Sequence, residues 1–184
     1  LEEVFTSKSL KMVSFTITEK GYATKNNSGN LLPGYEEDFK KDIKEGKMLL
    51  SKLVYLLYLR YQNGKAPLAF VSMDNCSHNG EKLRDAILLI SKAYVDNGSL
   101  DASFISYVED ERKVSFPWSM IDKITPRPDS SVFETLKKEG WENMDPIITA
   151  KHTYIAPYVN AEETQYLVIE DRFPNGRPKL EEGG

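Results

Sequence analysis

Cysteine is almost missing from this chain. Cys76 stands alone among 184 residues, so no internal disulfide can form, and the composition fits a reducing, cytoplasmic setting. No apolar run approaches the roughly 18 residues that a membrane helix needs, which leaves no candidate helical span. A basic stripe is also lacking. Acids and bases are interspersed at a net charge of −4, which argues against a nucleic-acid partner. The opening Leu1-Glu2-Glu3-Val4 has neither the basic start nor the apolar core of a signal peptide, and without an initiator Met it reads as a trimmed piece. Internal repeats and low-complexity stretches are absent too. What is present is 40% hydrophobic residues, enough for one domain with a sizeable core.

Three segments share one pattern: an apolar strand that delivers polar or charged residues at its end. Val13–Tyr22 runs into Glu19 and Lys20, with Gly21 offering a sharp exit. Ala69–Asp74 runs into Asn75-Cys76-Ser77-His78-Asn79-Gly80. Phe116–Pro126 carries Asp122 and Lys123 between the stiffening prolines Pro117 and Pro126. In parallel α/β sheets ligands sit beyond the carboxyl ends of strands, so these three tips are candidate site loops. Strands alternating with helices predict an α/β fold, three-layered, with a mostly parallel sheet.

Along the chain the patterns predict strands over 11–18 and from Pro67, and a polar, mobile loop over 23–34. Residues 35–62 are expected to be mostly helical, with Leu49, Leu50, Leu53, Val54, Leu57 and Tyr58 on one face. A helix over 81–95 shows Leu83, Ala86, Ile87, Ile90, Ala93 and Tyr94 at the spacing of a packed stripe, with Asn79 placed as its cap. Shorter helices are expected over 103–109 and 131–139, residues 113–116 lead into the proline-bracketed loop, and β segments are expected over 146–158 and 165–170.

Taken together, T-E-K-G-Y (Thr18–Tyr22), D-N-x-x-x-N-G (Asp74–Gly80), F-P-x-S-M-I-D-K-I-T-P (Phe116–Pro126) and V-I-E-D-x-F-x-x-G-R-P (Val168–Pro178) resemble the mannitol dehydrogenase and fructuronate reductase family of long-chain polyol dehydrogenases. The wording over 117–123 looks most like its fructuronate reductase (mannonate oxidoreductase) branch. Ile121 and Lys123 depart from the usual valine and arginine, which blurs the substrate subgroup.

The resemblance implies an NAD-dependent oxidoreductase, with NADP still open, that interconverts a keto sugar acid and its hydroxy acid. Mannitol 2-dehydrogenase, tagaturonate reductase and a non-catalytic sugar-acid binding module are the alternatives. It also implies that residues 1–184 are part of a Rossmann-like dinucleotide-binding domain. The G-x-G-x-x-G turn of a complete one is not in this chain, and Asn63-Gly64 and Asn97-Gly98 are isolated turns. That turn and a helical C-terminal domain carrying the catalytic lysine are expected outside it, so this piece is expected to be inactive alone.

Within the chain, Asn75 is the expected catalytic contact, donating its amide N–H to the substrate oxygen; its plain reading is a turn residue. Asp122, Glu19, Lys20 and Asn79 are the expected cofactor contacts. Their plain readings are a surface ion pair with Lys123 or Arg127 for Asp122, a solvated strand end for Glu19 and Lys20, and a helix cap for Asn79. Lys123 is expected to support its loop or face a phosphate. Arg172 and Arg177 either reach a substrate carboxylate or belong to a charged exit loop. Asp74, Cys76 and His78 have poor spacing for zinc, so no metal is expected.

Overall fold

The computed structural model describes residues 1–122, 127, 129–159 and 167–182. The chain forms two compact units: a main unit, Leu1–Ile121 with Leu167–Gly184, and a second unit, Asp122–Tyr166.

The main unit opens with a short helix, α1 (Glu2–Thr6), whose Phe5 is buried. It is built on a parallel sheet of three strands, β1 (Met12–Phe15), β2 (Leu68–Ser72) and β3 (Val114–Ser115), in that spatial order. Val13 lies beside Phe70, and Leu68 beside Val114. Side chains alternate across a strand, so these residues share one face with Phe15. That face joins the apolar stripes of α4 (Leu49–Gln62), α5 (Asn79–Asp96) and α6 (Ser103–Glu109) in one core. Leu83, Ile87 and Ile90 of α5 are wholly buried, each contributing about 1.5–3 kcal/mol of apolar transfer. On the opposite face Ala69 and Val71 are also fully buried. There the Ser115 hydroxyl donates to the Arg172 carbonyl (2.6 Å), and the Asn175 amide donates to the carbonyls of Lys8 and Leu10 (3.1 and 2.9 Å). The C-terminal stretch thus crosses the sheet from β3 to the entry of β1. Two short antiparallel strands, β4 (Ser119–Met120) and β7 (Val168–Ile169), clip it to the segment after β3.

Arg60 of α4 fastens the entry side of the sheet. It is 1% exposed and donates to the main-chain oxygens of Phe5, Ser7, Leu10, Ala66 and Pro67, at 2.6–3.0 Å. These carbonyls flank the starts of β1 and β2, so one guanidinium ties five acceptors together, those of Ser7, Leu10 and Ala66 being shared with the Leu10 N–H, the Asn175 amide and the Tyr107 hydroxyl. Burial pulls its pKa down from the usual guanidinium value.

Several expectations need correction. Strand β1 stops at Phe15, and Glu19 and Lys20 do not end a strand but open the short helix α2 (Glu19–Tyr22). Gly21 makes no positive-φ exit. It sits in that helix against Ile17, where a Cβ would come within 2.9 Å of the Ile17 Cβ. The 35–62 stretch breaks into α3 (Pro33–Asp38), a 3-10 turn at Ile43–Glu45, and α4. The break is fixed by buried Asp38, whose carboxylate accepts the N–H groups of Lys47 and Met48 just ahead of α4 (2.9–3.1 Å). The expected 23–34 surface excursion is present up to Leu32, where α3 takes over. Lys25 bridges to Leu31, and the Asn26 side chain accepts from the N–H groups of Ser28 and Asn30. Asn79 does not cap α5 but is its first residue, preceded by His78 in a left-handed conformation (φ 56°). The cap position is displaced because the Asn79 amide is drawn inward to Asp74 and Ser119.

The second unit contains the helix α7 (Ser130–Lys138), whose N-terminus is capped by Asp129 accepting from the Ser131 N–H (2.8 Å). Gly140, at φ +91°, ends it. A hairpin of β5 (Ile147–Ile148) and β6 (Tyr154–Ile155) follows, with the Arg127 guanidinium 4.7 Å above the Tyr154 ring.

Candidate functional site

At the carboxyl ends of β1 and β2 lies a cleft of about 520 Å³, lined by Thr16, Ile17, Thr18, Glu19, Asp74, Asn75, Cys76, Ser77, Lys82 and Ile121. A wider groove, about 970 Å³, runs along the later turns of α5 from Arg84 to Asp96. Helix α5 starts at the strand ends and runs back, so that groove sits away from them. The smaller cleft occupies the place where parallel sheets bind ligands.

Loop 74–77 is held from three directions. The Tyr22 hydroxyl donates to Asp74 Oδ2, a contact between two buried residues from different strand ends. Asp74 Oδ1 accepts the Cys76 N–H (2.8 Å), closing a tight turn with Asn75 at its tip. Burial and then the neighbouring carboxylate push the Tyr22 phenol well above its ordinary pKa, so it remains a donor. Burial foremost, with Asp74 beside it, also raises the Cys76 thiol. A thiol held protonated is a poor nucleophile.

The third hold is Asn79, 1% exposed. Its Nδ2 donates to the carbonyls of Asp74 (3.1 Å) and Ser119 (3.1 Å) and lies 3.1 Å from the Ser119 hydroxyl. Its Oδ1 accepts from the N–H groups of Gly80 (2.9 Å) and Ser119 (3.1 Å). The Ser119 hydroxyl in turn donates to the Ser72 carbonyl. The D-N-x-x-x-N-G and F-P-x-S-M segments therefore interlock, joining the tip of β2, the start of α5 and the strand leaving β3. Gly80 is required at the seam, since a Cβ there would lie 2.2 Å from the Phe116 carbonyl and 2.9 Å from that of Pro117. His78 stacks on Trp118 (centroids 4.2 Å apart) and its Nδ1 lies 3.3 Å from Glu81, so it points along the seam.

Of the expected site residues, Asn75 and Glu19 line the cleft and Asn75 is exposed within it. Glu19 pairs with Lys82 (3.1 Å) across the rim. Lys20 is exposed on α2 and is not among the lining residues. Asn79 is buried, with its amide occupied by the chain itself. Asp122 is exposed and begins the second unit, while Lys123 lies outside the described residues. Arg172 is engaged by Glu111 (2.7 Å) and Glu170 (3.6 Å), and Arg177 by both oxygens of Glu181 (2.8 and 2.9 Å). Sequence reasoning missed Tyr22, Ser119 and Lys82. Each depends on contacts between segments 40 to 63 residues apart, although Tyr22 and Ser119 stand inside the family-like motifs.

A parallel sheet packed against helices, with a cleft beyond its strand ends, has the architecture of an α/β fold of the Rossmann class. The sequence profile of the mannitol dehydrogenase Rossmann domain matches residues 3–182, and the chain belongs to that family. It is 48% identical over 180 residues to D-mannonate oxidoreductase of Thermotoga maritima, covering 98% of this chain and 33% of that one. It is 30% identical over 176 residues to the Escherichia coli D-mannonate oxidoreductase (94% and 32%). Among solved structures it is similar to Pseudomonas fluorescens mannitol 2-dehydrogenase in ternary complex with NAD and D-mannitol, at a TM-score of 0.61 and 27% identity, covering 100% of this chain and 34% of that one. The chain thus spans about a third of the length of these relatives.

Proposed function

We propose that the full-length protein is a nicotinamide-dependent oxidoreductase that interconverts a keto sugar acid and its hydroxy acid, of the fructuronate and mannonate type, and that the strand-end cleft is where the reacting groups meet. The observation that carries this is Asn75. It is an exposed amide at the tip of a turn fixed on both sides, inside a cleft at the strand ends. The 48% identity to a D-mannonate oxidoreductase favours a sugar acid over a neutral polyol.

The cofactor, NAD(H) or NADP(H), supplies or accepts the hydride. This chain's contribution is placement and charge stabilisation. The Asn75 side-chain N–H donates to the substrate oxygen as negative charge grows on it, an effect worth about 10²–10³ in rate for one well-placed donor. Thr16, Thr18 and Ser77 offer neutral hydroxyls around it, and the Glu19–Lys82 pair closes the rim. Asp122 is proposed to hold the cofactor's amide end, and Glu19, with Lys20 next to it, to flank the nucleotide. Asn79, with its amide already used, acts from beneath. The proton is assigned to a lysine in the remaining two thirds of the protein, its pKa lowered by burial.

The test is a spectrophotometric screen of the full-length protein with NADH and NADPH against fructuronate, tagaturonate and fructose. Fructuronate should be reduced fastest. Reduction of none would overturn the proposal.

A further inference from the structure

Asn75 can act only if the turn that carries it is held in place, and the structure shows what holds that turn. The residue occupies the tip of a turn whose closing bond runs from the Cys76 N–H to Asp74 Oδ1. A single acceptor bond of that kind would let the Asp74 side chain rotate and the turn open. Its other oxygen, however, is engaged by Tyr22 from α2, beyond the end of the neighbouring strand. Asp74 is 7% exposed and Tyr22 6%, so water does not compete for this contact.

From this geometry we infer that Tyr22 and Asp74 form a positioning pair for the Asn75 amide, a role that rests on the proposed site. Tyr22 is not a proton donor to substrate: it is buried, it points at Asp74, and it is not among the residues lining the cleft. The pair instead couples the tips of β1 and β2. A displacement of α2 reaches Asn75 through one hydrogen bond, and the two sides of the cleft move together. Cys76 follows from the same design. Its N–H serves the turn, and its thiol needs only to fit.

Tyr22→Phe in the full-length protein removes the hydroxyl while keeping the ring. It should lower kcat for sugar-acid reduction on the order of 10- to 100-fold, the scale of a misplaced contact near 1 Å. NADH binding, followed by cofactor fluorescence, should stay within about twofold of the unaltered protein. Asp74→Asn, which presents an NH2 or a neutral oxygen to Tyr22, should give the same pattern if Tyr22→Phe does not fold. The decisive arm is a double-substitution cycle. Once Asn75→Ala has removed the amide, adding Tyr22→Phe should cost less than about threefold more, because nothing remains to be positioned. Full additivity of the two losses, or an unchanged kcat in Tyr22→Phe, would overturn the inference while leaving the site intact. An unchanged kcat in Asn75→Ala would instead remove the proposed site, and the inference with it.

Discussion

Gly80→Ala tests the seam between the two interlocked motifs, and its sign alone is informative. At an open position inside a helix, Gly→Ala stabilises by about 1 kcal/mol, because alanine loses less conformational freedom. Position 80 lies within α5 but is not open. The added Cβ would come 2.2 Å from the Phe116 carbonyl oxygen, 2.8 Å from Trp118 Cδ1 and 2.9 Å from the Pro117 carbonyl. An ordinary contact requires the Phe116 oxygen to retreat by about 1 Å, and it is main chain, so the whole 116–119 segment must move. That motion strains the bonds between Asn79 and Ser119, all near 3.1 Å. Overpacking costs about 1–3 kcal/mol, and weakened buried hydrogen bonds cost about 1 kcal/mol each. Set against the helix gain, the net destabilisation is about 2–4 kcal/mol. For a chain of this size that lowers Tm by roughly 5–15 °C, measurable by circular dichroism. Gly98→Ala is the control: its φ is +81° but nothing lies within 4 Å, so it should cost only about 1 kcal/mol of backbone strain. A Gly80→Ala protein as stable as the parent, or more so, would refute the close seam.

Arg60→Met removes a donor from five carbonyls, of which those of Ser7, Leu10 and Ala66 keep another. The lost bonds, partly offset by no longer burying a cation, should cost about 2–4 kcal/mol, read as a shift of the urea midpoint at constant slope. A change under about 1 kcal/mol would show that water replaces the guanidinium readily. Buried tyrosines give a pH signature. Tyr35 and Tyr107 are each raised by burial to about 12, and Tyr22 is raised further. Their folded values exceed the unfolded value of 10, so their stabilising contribution is complete below pH 10. It is lost as the pH rises from there through about 12. Tyrosinate absorbance should therefore appear in two stages, the later one coinciding with alkaline unfolding. A single transition near the ordinary tyrosine value would contradict the burial of these rings.

Much of this arrangement was readable in the residues. The helical stripe Leu83–Ala86–Ile87–Ile90 is a periodic pattern and Leu68–Ser72 a short run buried at every position, and both elements formed within two residues of where they were expected. Position 75 was legible for the same reason: a polar cluster immediately after a buried strand falls at a strand tip. The errors came where long-range contacts override local preference. Asn79 has the identity of a cap, but tertiary bonds to Ser119, 40 residues away, draw its amide inward and shift the helix start. Glu19 and Lys20 follow a strand-like run, yet Gly21 lets the chain turn helical against Ile17. Neither Tyr22 meeting Asp74 nor Arg60 serving five carbonyls has any local periodicity to announce it.

The most direct measurement is the kcat of the full-length protein for fructuronate reduction, compared between the parent and Asn75→Ala under conditions where both bind NADH. Loss of one amide donor to the developing oxyanion predicts a fall on the order of 10²- to 10³-fold with cofactor affinity retained. Equal kcat values in the two proteins would contradict the placement of the reaction in the strand-end cleft.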